Sequence, residues 1–114
     1  MLELITAVIK PHKLDDVKAA LLANGVTGVT ITEVRGFGRQ GGKTEVFRGS
    51  EYAIEFVPKV KLEVIVPTAQ ATTVIDVIVK AARTEKIGDG KVWSFPLSSL
   101  VRVRTGETRS EEHT

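Results

Sequence analysis

Two stretches of this chain follow the same order: a β-branched run, an apolar pattern at helical spacing, then a second β-branched run. Met1 to Ile9 is apolar and reads as a strand, and Pro11 ends it. Leu14, Val17 and Leu21 then recur at helical spacing, with Asp15 and Asp16 in the first turn, where carboxylates suit the helix dipole. Asn24-Gly25 is a helix stop. Val29 to Arg35 alternates and reads as a strand. The second half begins with strand character from Tyr52 to Val66. Phe56, Val60, Leu62, Val64 and Val66 fall on one face, and Lys59, Lys61 and Glu63 on the other. Pro58 demotes the early part to an edge or a bend. Pro67 breaks that strand. Val74, Val77, Ile78 and Ala81 predict a helix from about Gln70 to Arg83. Lys91 to Phe95 and Leu100 to Arg104 read as short extended pieces. This order predicts one α+β domain over 1–114 with the ferredoxin-like βαββαβ arrangement. The edges of so small an open sheet need cover, and oligomerisation is one cover.

Composition narrows the chemistry. The chain has 114 residues and no cysteine, which excludes disulfides, thiolate catalysis and cysteine-held metal. Sixteen basic and 14 acidic residues leave a net charge of +2, a poor match to a nucleic-acid partner. Met1 to Lys10 alternates and carries Glu3, so it is not a signal peptide. No apolar run approaches the ~20 residues of a spanning helix, so no direct membrane insertion is expected. A cytoplasmic setting fits these features. The two histidines, His12 and His113, cannot make a multi-histidine metal site.

Three segments carry possible ligand chemistry. Gly36 to Ser50 is glycine-rich and charged, with no apolar period; a loop this long in a compact domain is usually functional or disordered. Within it, Gly36-Phe37-Gly38-Arg39-Gln40-Gly41-Gly42 matches G-x-G-x-x-G, but no helical stripe follows, so the dinucleotide motif is not met. The loop is either a plain connection or a backbone that can approach a phosphate or carboxylate, with Arg39 and Gln40 adding a charge and an amide. The second segment is Gly88-Asp89-Gly90-Lys91. It resembles the end of a P-loop, but Glu85 stands where that motif needs its first glycine, and Val92 follows the lysine. It reads as a turn with a solvated lysine, or as a turn that holds a phosphate. The third is Arg102 and Arg104, two residues apart and so on one face if extended. They are a solvated strand face or a fork for an anion. A shared anionic ligand accounts for all three. Catalysis lacks players: there is no cysteine, no histidine in a suggestive context, and no nucleophile loop. A binding protein that senses a phosphate-bearing ligand fits better than an enzyme.

At these segments the chain resembles the PII nitrogen-regulatory signalling proteins. The matching stretches are Lys10 to Val17, Thr32 to Gln40, Arg48 to Tyr52, Lys86 to Lys91 and Arg102 to Glu107, in the family order. The resemblance implies a ferredoxin-like protomer, a compact homotrimer, and nucleotide sites between subunits where ATP and ADP compete. Gly38, Arg39, Gly88, Gly90, Lys91, Arg102 and Arg104 would surround the phosphates, with Thr30 and Glu63 near the adenosine. Gln40 would give its amide oxygen to Mg²⁺, which also takes oxygens of ATP and 2-oxoglutarate. Lys59 would pair with the distal carboxylate of 2-oxoglutarate, beside Gly41. The loop at 37–55 would dock on targets, an ammonium transporter or nitrogen-assimilation enzymes, and a flexible tail would run over 105–114. Tyr52 and Ser50 match positions that modifying enzymes act on in some members.

Three departures stand out. Gly41 replaces a common lysine and removes a charge near the keto acid. Phe47 replaces a frequent tyrosine. Glu85 replaces a glycine common before Lys86. Two other classes compete with the sensor: a nucleotide-hydrolysing enzyme of the same fold, for which the chain offers only ordinary carboxylates, and a purely structural trimer, which would have no use for Gln40 and Lys59.

Overall fold

The computed structural model describes residues 1–37, 46–47, 51–52 and 56–109. The elements run β1 (Leu2–Ile9), α1 (Leu14–Ala23), β2 (Thr30–Gly36), β3 (Val46–Phe47), β4 (Glu51–Tyr52), β5 (Val57–Pro67), α2 (Thr68–Ala82) and β6 (Gly90–Pro96), with a 3₁₀ turn at Pro11–Lys13. β2, β5, β1 and β6 form one antiparallel sheet in that order. This is the expected βαββαβ topology. The short β3–β4 pair forms a separate two-stranded ribbon within the segment expected as a long loop.

β1 is central and pairs along its length with β5, from Leu2↔Pro67 to Ile9↔Val60. On its other side it pairs with β6, from Glu3↔Pro96 to Ile9↔Gly90. Both helices lie against one face. Ile5, Ala7 and Ile9 of β1 and Val60, Leu62, Val64 and Val66 of β5 meet Val17 and Leu21 of α1 and Ala71, Val74, Ile78 and Ala82 of α2. Burying a side chain such as Ile5 or Leu62 contributes about 1.5–3 kcal/mol.

The local stops are those the sequence predicts. After α1, Gly25 takes φ +84, its N–H donates to the Leu22 carbonyl, and the Val26 N–H donates to the Leu21 carbonyl. That is a Schellman closure, and the hydrophobic contact that accompanies it is supplied by Val26 and Leu21 in the core. Pro67 precedes α2 directly. Pro58 sits where β5 pairs with β2 alone, since the β1 partner ends at Val60. The missing N–H is therefore tolerated in an otherwise central strand.

Three expectations are corrected. Phe56 does not join the core face. It precedes β5, is 55% exposed, and packs edge-on against Phe37 at 5.4 Å between ring centres, with the Arg35 guanidinium over its ring. Arg102 and Arg104 do not share a strand: Val101 makes one bridge to Thr108, and residues 103–105 turn. Finally, the tail is not loose from Thr105. Arg102 N–H donates to the Glu107 carbonyl, Gly106 N–H to the Arg102 carbonyl, and Arg109 N–H to the Leu100 carbonyl, so residues 100–109 close a small hairpin. Residues 110–114 lie outside the described residues.

Gly90 is fixed by packing. It opens β6 at φ +104, and a Cβ there would stand 1.8 Å from the Val8 carbonyl oxygen, an atom of the central strand that cannot move aside. Gly90→Ala should destabilise the fold by about 3 kcal/mol, from overpacking and the left-handed backbone together. Urea denaturation measures this; a loss well under about 1 kcal/mol would show that the strand start can shift.

Candidate functional site

The largest cleft, about 640 Å³, lies between the segment entering β2, the end of β5 and the C-terminal hairpin. Thr30 and Glu63 are a direct cross-strand pair of β2 and β5, and both line it. Arg102 lines it from the hairpin. Three of the predicted residues thus converge here, two through strand register and one through the hairpin. Arg104 lies in the turn, exposed, and outside that lining.

A second group gathers where α2 hands over to β6. Asp89 organises it. Its carboxylate accepts the Thr84 hydroxyl, the Thr84 N–H at 2.8 Å and the Glu85 N–H at 2.7 Å. The Lys10 ammonium lies 3.2 Å from the same carboxylate and 3.2 Å from the Thr84 hydroxyl. The Thr84 hydroxyl, the backbone donors and Lys10 outweigh desolvation and hold the Asp89 carboxyl well below the usual carboxylate range. Gly88 takes φ +92 and Gly90 φ +104 on either side of it. The Asp-Gly pair is a turn signal that the sequence carries; the reach back to Thr84 and Lys10 is not visible in any local motif.

Lys59 joins this group from β5. Its ammonium donates to the Gly88 carbonyl. Burial lowers its pKa first, the neighbouring Lys10 charge lowers it further, and Asp89 opposes both. Lys91, the next residue after Gly90, is exposed. Lys10, Lys59 and Lys91 therefore bring three ammonium groups to one glycine turn with a single carboxylate among them. A turn with free amide donors and surplus positive charge is built to hold an anion.

Glu85 has φ +66, the only non-glycine residue in that region among the described residues. Its N–H is committed to Asp89, so the backbone cannot relax without breaking the turn. The departure noted in the sequence as a charge change is thus also a conformational one. Gly38, Arg39, Gln40, Gly41 and Ser50 lie outside the described residues. Tyr52 ends the short β4, whose backbone pairs with Val46. Arg109 lines the large cleft and was not singled out by sequence. Its signal, an arginine across a Thr105-Gly106 turn from Arg102, is readable only once that turn is recognised.

Two outcomes follow for the turn. A carboxylate with a depressed pKa contributes stability that is present above the unfolded value, about 3.9, and is lost as pH falls toward the folded value. Thermal midpoints of wild type and Asp89→Asn should differ at neutral pH and converge below about pH 4; a gap that stays constant would contradict the Asp89 role. Glu85→Gly should stabilise by about 1 kcal/mol, since it relieves the left-handed cost but adds unfolded-state freedom. Urea denaturation at neutral pH reads that gain, and a loss would refute it.

The chain was compared with known proteins on these grounds. The family model "Nitrogen regulatory protein P-II" matches residues 2–107. Nitrogen regulatory protein P-II 1 of Escherichia coli (strain K12) is 54% identical over 103 residues, covering 90% of this chain and 92% of that one. Nitrogen regulatory protein P-II of Synechocystis sp. is 53% identical over 107 residues, covering 94% and 96%. The crystal structure of Arabidopsis thaliana PII bound to citrate superimposes with a TM-score of 0.79 at 38% identity, covering 99% of this chain and 92% of that chain. The family is regulatory rather than enzymatic, in keeping with the lack of catalytic groups in the sequence. On fold, sequence and matched length alike, the chain belongs to the nitrogen regulatory protein P-II family.

Proposed function

We propose that the chain is a sensor of adenine nucleotide and 2-oxoglutarate that acts as a homotrimer. One observation carries this: the two candidate half-sites lie at opposite ends of one sheet. The cleft with Thr30, Glu63 and Arg102 also takes in Leu2 and Pro67, whereas Gly90 pairs with Ile9 and Lys59 reaches Gly88. Leu2 and Ile9 are seven strand steps apart, roughly 23 Å at about 3.3 Å per residue. A single nucleotide spans that distance poorly within one chain. A neighbouring copy can bring the cleft of one subunit to the lysine-rich turn of the next.

The sheet supports such an assembly. Its helix-free face carries Leu4, Ile65 and Phe95 in one cross-strand row and Glu63, Thr6 and Trp93 in the next. Ile65, Trp93 and Phe95 are 41%, 42% and 50% exposed in the single chain. Apolar groups of this size in a row are normally covered by a partner.

In the proposed site, Thr30 and Glu63 lie near the adenosine of ATP or ADP. Gly38, Arg39, Gly88, Gly90, Lys91, Arg102 and Arg104 surround the phosphates. Lys59 receives the distal carboxylate of 2-oxoglutarate, with Gly41 beside it. Among the described residues no group of three or more His, Asp or Glu side chains could hold a metal. That fits a Mg²⁺ held mainly by ligand oxygens and by Gln40, a bridge that offsets the repulsion between two anions. Each ligand should then raise the affinity of the other. The relative from Arabidopsis was solved with citrate, another carboxylate anion, which agrees with an anion-binding role. The loop at 37–55 passes ligand state to a target, an ammonium transporter or a nitrogen-metabolism enzyme, and Tyr52 or Ser50 is where a modifying enzyme would act. The setting is cytoplasmic; no helix of the described residues is long and apolar enough to cross a membrane.

Titration calorimetry tests this directly. ATP and ADP should each bind, and 2-oxoglutarate should give heat only when Mg-ATP is present. Failure of both nucleotides to bind at millimolar concentration would remove the proposal.

A further inference from the structure

The C-terminal hairpin places a second arginine beside Arg102. The bridge Val101↔Thr108 sets the register, and the bonds from Arg102 N–H to Glu107 and from Arg109 N–H to Leu100 flank it. Side chains alternate across such a ladder, so Leu100, Arg102, Glu107 and Arg109 share one face. Leu100, Arg102 and Arg109 all line the large cleft, as that register requires. Arg102 and Arg109 are diagonal neighbours, a relation that sets their stems roughly 7–8 Å apart. The pair of guanidiniums expected from Arg102 and Arg104 is therefore formed by Arg102 and Arg109 instead.

Arg109 is poorly satisfied where it stands. Its side chain is 20% exposed, and its Nε is buried without a hydrogen-bond partner. Glu107 is its ion-pair partner, at 4.0 Å, with a side chain 64% exposed. A pair that long and that solvated contributes little. A buried guanidinium donor left unmade is costly, and a ligand oxygen would remove that cost. The present partner is already an anionic oxygen, and a phosphate offers the same acceptor with more charge and a better match to the guanidinium fork.

We propose that Arg109 is a ligand-contacting residue of the cleft that grips the phosphates of the bound nucleotide together with Arg102. This rests on the nucleotide-sensing role above and adds a specificity-determining residue to it. Glu107 is then a placeholder that the nucleotide displaces.

Calorimetric titrations of wild type, Arg109→Ala, Arg109→Gln and Arg109→Lys with ATP and with adenosine decide it. Arg109→Ala should lose about tenfold in ATP affinity, and Arg109→Lys should stay within about threefold of wild type. Adenosine affinity should be unchanged in all of them. The ATP deficit of Arg109→Ala should shrink as salt is raised, which a merely structural role would not produce. Thermal unfolding checks that each variant folds; if the alanine variant does not, Arg109→Gln, which keeps the stem and loses the charge, decides by the same criterion. ATP affinity of the neutral variants within about twofold of wild type, or an equal loss for adenosine, would overturn the proposal. Wild type that ignores ATP would overturn the sensing role itself, whereas wild type that binds while the neutral variants match it would overturn only the Arg109 assignment.

Discussion

Two short helices cover one face of a four-stranded sheet and leave the other to something else. α1 and α2 bury Ile5, Leu62 and their neighbours, and that half of the molecule is a closed core. The opposite face mixes Leu4, Ile65, Trp93 and Phe95 with Lys61, Glu63 and Lys91. A core that size stabilises the protomer, but it cannot also enclose a ligand. Any deep site must be made from the rims of the sheet, and the rims of one copy are too far apart to meet. Function by assembly follows from the thickness of the fold rather than from any one motif.

The rims themselves are built by different means. At one end, strand register alone sets Thr30 against Glu63, so the placement is as rigid as the sheet. At the other, the turn between α2 and β6 depends on Asp89, which gathers Thr84, Glu85 and Lys10 around one carboxylate. The first device is geometric and insensitive to solvent. The second is electrostatic, and it leaves the three lysines around it with one negative charge to share.

Much of this was legible in the sequence because each element is bounded by a strong stop. Pro11, Asn24-Gly25 and Pro67 punctuate the chain, and the apolar periods between them switch cleanly from two to helical spacing. What failed did so where a short pattern outran its element. Val-Arg-Val-Arg alternates like a strand, yet Gly106 at φ +73 turns the chain back within a few residues, so the alternation never becomes a face. Phe56 keeps the parity of β5 but lies one residue before its first pairing, where the partner is Phe37. Gly90 read as a loop glycine suited to an anion; the approach of the Val8 carbonyl, a tertiary contact, is reason enough for it. Arg109 and the reach of Asp89 to Lys10 depend on chain reversals that periodicity does not encode.

The bond from Lys59 to the Gly88 carbonyl has a further consequence. An ammonium so engaged is spoken for, and any carboxylate arriving at it must trade places with a backbone oxygen of the glycine turn. Exchange of one acceptor for another is nearly neutral in free energy, so the trade is easily reversed. It would nevertheless unfasten β5 from the turn that leads into β6. The arrival of one small acid would then be felt, through a single swapped contact, by the backbone amides a few residues away.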